Sequence, residues 1–70
     1  MNKKYRKSHN QIRKYANGIN KRLQMIEELE ELKRYAKPYG ASVISNEITM
    51  LEIEIINLYK NINDESLKAL

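Results

Sequence analysis

The chain has 70 residues, no cysteine and a formal net charge of +4. It is therefore one small domain at most, without disulfides, and with no cysteine and only His9 a structural zinc site is not expected. A core this small leaves oligomerisation as the remaining source of stability, so a homodimer or higher homo-oligomer is expected.

No run of about 18 apolar residues marks a membrane span, and no apolar signal-peptide core follows the basic N-terminus. The expectation is a soluble cytoplasmic protein with no membrane contact and no cofactor. Abundant Asn, Lys, Ile, Glu and Tyr point to an AT-rich genome, such as a low-GC bacterium, its phage or its plasmid. Charge is unevenly placed. Lys3, Lys4, Arg6, Lys7, Arg13, Lys14, Lys21 and Arg22 lie in residues 1–22 with no acid, whereas the rest of the chain has more acids than bases. A basic arm on a mildly acidic body is a nucleic-acid-binding pattern, though Lys-rich ends also serve merely to solubilise.

Residues 1–7 have high charge and no apolar period, which predicts a disordered basic arm. Ser8-His9-Asn10-Gln11 matches a capping box, and Ile12, Tyr15, Ala16 and Ile19 share one helical face. A short helix over about 8–17 follows, broken at Asn17-Gly18. The alternative is one long helix carrying Gly18 at a cost of about 1 kcal/mol. The apolar stripe holds one direction from Ile12 through Ile19 and Leu23 and has turned by roughly 100° at Met25, Leu29, Leu32 and Ala36, more than a heptad repeat would drift over that distance, which favours the break.

A second helix is predicted over about 20–37. Pro38-Tyr39-Gly40 supplies a turn, and Ser42, Ser45 and Asn46 offer N-caps for a third helix over about 45–62. Ile48, Leu51, Ile55, Leu58 and Ile62 follow at spacings of 3, 4, 3 and 4, the most regular apolar stripe in the chain. Asn63-Asp64 should end it, leaving 63–70 as a frayed tail. The fold class is all-α: an antiparallel helical hairpin in a single domain over 8–62, with the shorter N-terminal helix, assembling as an oligomeric, coiled-coil-like bundle. Met25, Leu29 and Leu32 join the 48–62 stripe in the expected dimer core.

The candidate nucleic-acid contacts are Lys3, Lys4, Tyr5, Arg6, Lys7, Arg13, Lys14, Lys21 and Arg22. The cations would neutralise phosphates, and Tyr5 and Tyr15 could stack on unpaired bases. Met50, Ile53 and Ile56 fall off the main stripe and are expected to meet another subunit or a partner protein, or else the N-terminal helix of the same chain. The acidic group Glu27, Glu28, Glu30 and Glu31 reads as a solvated face, and adjacent Ser8 and His9 point in different directions. No enzyme activity is expected. The size and layout resemble small helical-hairpin aspartyl-phosphate phosphatases, but Thr49-Met50-Leu51-Glu52-Ile53 stands where that family has S-Q-E-L-D, so the activity does not carry over.

The functional expectation is a small non-enzymatic nucleic-acid-binding regulatory or accessory protein that dimerises through its hairpin. The alternative is a helical adaptor or inhibitor that offers an apolar face to a larger host protein.

Overall fold

The computed structural model describes residues 3–70. Two helices of 31 residues each, α1 (Lys3–Lys33) and α2 (Pro38–Lys68), pack side by side as an antiparallel hairpin. The body measures 54 × 15 × 9 Å, a rod one helix thick.

The separate N-terminal helix over 8–17 is not formed, because α1 runs through Asn17-Gly18 without interruption. Neither glycine has a positive φ, so neither caps a helix in the left-handed conformation. Residues 3–7, expected to form a disordered arm, continue α1 as helix, and residues 1 and 2 lie outside the described residues. Ser8 is consequently no cap. It is an interior helical residue only 6% exposed.

The turn also differs from expectation. α1 ends at Lys33, and Tyr35 and Ala36 tighten the exit with three-residue hydrogen bonds to Leu32 and Lys33. Pro38 does not merely stop the preceding helix. It occupies the first turn of α2, where its fixed φ and missing N–H are harmless, behind an extended Lys37 (φ −71°, ψ 164°). Ser42, Ser45 and Asn46 are thus all inside α2. At the other end Asn63-Asp64 does not stop the helix, which reaches Lys68.

Alternate spacings of 4 and 3 run the length of both helices along the line where they touch. On α1 this seam is Ser8, Ile12, Tyr15, Ile19, Arg22, Ile26 and Leu29, and on α2 it is Ala41, Ile44, Ile48, Leu51, Ile55, Leu58, Ile62, Glu65 and Ala69. All are buried or half-buried. The stripe foreseen on α2 is therefore the seam itself. On α1 the phase differs from expectation: Ile26 takes the seam position, while Met25 and Leu32 lie on its flank, 47% and 59% exposed. Arg22 is the reason. A charged residue at a seam position hides the continuity of Ile19, Ile26 and Leu29 and makes the stripe seem to rotate.

Register follows from two contacts. A Cβ on Gly18 would lie 3.3 Å from Leu58 Cδ1, and Arg22 Nε donates to Glu54 Oε1 at 2.8 Å. One helical turn up α1 thus matches one turn down α2, and Asn20 stands level with Ile56. The core is thin: Ile19, Ile48, Leu51 and Ile55 are its buried apolar residues. Hydrophobic burial along a single row is what holds the rod together, and a row this narrow gives modest stability.

Candidate nucleic-acid interface

A helix buries one stripe and turns the opposite one to solvent. With the seam fixed, the outward face of α1 carries Lys3, Lys7, Asn10, Lys14, Asn17 and Lys21, with Arg6 and Arg13 beside it. All are exposed. Lys7, Lys14 and Lys21 recur every seven residues, so they form one row, with successive members about 10.5 Å apart along the axis. No carboxylate occurs in α1 before Glu27. Among the described residues, none of Lys3, Lys7, Lys14 and Lys21 is ion-paired. The result is a straight cationic ridge about 27 Å long from Lys3 to Lys21.

Charge is also segregated along the rod. Its open end combines the basic half of α1 with Lys60, Asp64, Glu65 and Lys68 of α2, and Lys68 pairs with Glu65 at 3.6 Å. The turn end carries Glu27, Glu28, Glu30, Glu31, Glu47 and Glu52 against Lys33, Arg34 and Lys37. One end of the molecule is strongly basic and the other mildly acidic.

The structure separates the sequence-proposed contacts. Lys3, Lys7, Lys14 and Lys21 share the ridge, with Arg6 and Arg13 along its edge. Lys4 lies round toward the seam. Arg22 is in the seam, where its guanidinium spans the two helices: Nε bonds Glu54, and Nη1 donates to Gly18 O at 3.0 Å. That geometry makes Arg22 a register pin. Tyr5 is half-exposed at the open end, where it lines a shallow groove with Ser8, His9, Ile12, Ser66, Ala69 and Leu70. Tyr15 sits half-buried in the seam. Asn10 and Asn17, polar residues between the lysines, belong to the ridge too and were not singled out from sequence. Their seven-residue spacing in phase with Lys3 was the available signal.

Met50, Ile53 and Ile56 are 57%, 51% and 64% exposed on the outer side of α2. The N-terminal part of the chain does not cover them, because it is spent extending α1. Ser8 is buried and His9 exposed, and both line the groove at the open end. Among the described residues no group of three or more His, Asp or Glu is placed to hold a metal ion, and the acidic cluster is exposed, with Glu31 pairing Arg34 at 3.5 Å. No helix among the described residues is long and apolar enough to cross a membrane. No family model, no curated protein and no solved structure matches this chain.

Proposed function

We propose that this chain is a small non-enzymatic nucleic-acid-binding protein, of a regulatory or accessory kind, that lays the outer face of α1 along a phosphate backbone. The observation that carries the reading is the acid-free ridge of Lys3, Lys7, Lys14 and Lys21, flanked by Arg6 and Arg13. A row of fixed cations on a helix releases counterions from a polyanion and so binds it with steep salt dependence. Lysines act as point charges, which position a backbone but read no base edge, so the binding is expected to be general in sequence.

Fluorescence anisotropy with labelled duplex and single-stranded oligonucleotides tests this. Affinity should fall as salt rises, and changing Lys7, Lys14 and Lys21 together to Gln should flatten the log–log slope by about 3 on duplex DNA, about 0.9 per lost contact. Absence of binding to any DNA or RNA at about 50 mM salt ends the proposal, since the electrostatic term is strongest at low salt.

The exposure of Met50, Ile53 and Ile56 favours a second reading, an adaptor or inhibitor docking on a larger protein. It is distinguished by a purified host protein that binds the wild type, loses Ile53→Asp, and is indifferent to the lysine changes.

A further inference from the structure

The seam leaves two flanks on the rod. One is marked by Gly18, Met25, Glu47 and Glu54. The other carries His9, Ala16 and Leu23 of α1 with Glu52, Tyr59 and Ser66 of α2; His9 and Ser66 line one groove there. Each flank holds an apolar group, and they differ in height. Met25, Leu32, Val43 and Met50 lie toward the turn, beside Glu47 and Glu54. On the other flank Ala16, Leu23, Ile56 and Tyr59 sit at mid-rod, with Leu23, Ile56 and Tyr59 49%, 64% and 54% exposed.

We propose that this mid-rod flank docks a second copy of the chain, head to tail, about a two-fold axis at the level of Asn20 and Ile56. The proposal does not rest on the nucleic-acid reading, although it takes Arg13 from the edge of the ridge into the dimer contact. A two-fold interface is self-complementary, so its apolar patch must map onto itself, and a patch centred on the rod does so with full overlap of both hairpins. The same operation on the other flank, with its axis at the level of Glu47, would overlap only the turn ends and set Glu47 against its own copy.

Charge selects the head-to-tail orientation. With the axis at Asn20, α1 runs antiparallel to its copy, and Arg13, seven residues before, comes level with Glu27, seven residues after. With the same axis at Ile56, Glu52 and Lys60, four residues to either side, come level across the two copies of α2. Two helices independently give opposite charges at the height of one axis, and the acidic turn end covers the basic open end. Arg6 comes level with Arg34, whose charge its own Glu31 already meets at 3.5 Å. Two rods aligned the other way, turn to turn, would stack like-charged ends. The ridge of Lys7, Lys14 and Lys21 faces away from this contact and remains on the outside of the dimer.

Sedimentation equilibrium on the full chain should return twice 8.3 kDa. Arg13→Glu should weaken the dimer about tenfold, since each dimer contains the contact twice, and adding Glu27→Arg should restore it to within about threefold. The absence of native cysteine allows a second readout. Asn20→Cys, on the axis, should oxidise to a covalent dimer, whereas Tyr39→Cys, at the turn, should not. Asn20, Arg13 and Tyr39 are exposed, so these changes spare the seam, and circular dichroism confirms retained helix. A monomer at high micromolar concentration, an adventitious contact at Tyr39→Cys instead of Asn20→Cys, or failure of Glu27→Arg to rescue each overturns the proposal.

Discussion

Arg22 offers the sharpest test of how the hairpin is held. It occupies a seam position between Ile19 and Ile26, yet its side chain is 31% exposed and its partner Glu54 45% exposed. An ion pair that wet contributes about 0.5 kcal/mol after screening. Replacing Arg22 with Leu removes that pair and places a branched apolar side chain beside Leu58. Full burial of Leu is worth about 1.5–3 kcal/mol, and a site about two-thirds buried, already partly covered by the arginine stem, gives about 1.5. Helix propensity is nearly unchanged, and Glu54 is exposed enough to be solvated alone. The net expectation is a gain of about 1 kcal/mol, or a rise in Tm of about 4–8 °C for a chain of this size. Urea titration followed at 222 nm reads it, repeated over a range of protein concentrations because self-association also shifts the midpoint. A loss of stability would refute the reasoning, since it would mean that the Glu54 and Gly18 contacts of Arg22 outweigh apolar filling of the seam.

The seam phase on α1 predicts that Ile26→Ala costs about 2 kcal/mol while Met25→Ala costs less than about 1, read by the same titration, and equal costs would contradict the packing. Gly18→Ala should raise stability by about 0.5 kcal/mol: alanine gains about 1 in the helix, offset by pushing Leu58 Cδ1 and Arg22 Nη1, both 3.3 Å from the new Cβ. A lower Tm would show that these two side chains do not yield. Raising salt from about 20 to about 500 mM should increase helicity and Tm, because it screens repulsion among the cations of α1 more than it weakens the exposed ion pairs. A fall in Tm would mean that attraction between the helices dominates.

Much of this fold was legible because α2 is internally consistent. Ile48, Leu51, Ile55, Leu58 and Ile62 satisfy one periodicity with no polar intruder, and the structure buries or half-buries every one. On α1, three local signals were misleading for one reason: each described a short segment, and tertiary packing was decided over 31 residues. Ser8 and Gln11 have capping chemistry, but the helix already exists before them. Asn17-Gly18 favours a break in isolation, yet Gly18 stands where Leu58 comes close and a small residue fits. Arg22 in the seam disguised the stripe, because its carboxylate partner Glu54 lies 32 residues away on the other helix and has no local signature. The cationic character of the N-terminal region was visible at once. Its arrangement as one ridge, with Arg22 removed from it, required the continuous helix.

The two helices divide the work. The seam of α2 is almost wholly aliphatic from Ala41 to Ile62, so it supplies most of the buried apolar surface whichever helix it faces. The seam of α1 includes Ser8, Tyr15 and Arg22, and its outer face carries six cations on the first two-thirds of its length, against the direction that the helix dipole prefers, since the first turn carries no acid. Lys3 and Lys7, four residues apart, repel each other on the same face. A helix so arranged is poorly stabilised by its own sequence and is kept straight by α2. Anything that neutralises the ridge removes that repulsion and favours the helical form, which is how a polyanion would act on Lys3, Lys7, Lys14 and Lys21. The acidic turn end of a second copy would act on the flank residue Arg13 in the same electrostatic sense without occupying the ridge. Cationic cost on α1 and aliphatic reserve on α2 are therefore one design feature: stability placed on one helix allows the other to carry a surface charge pattern that it could not sustain alone.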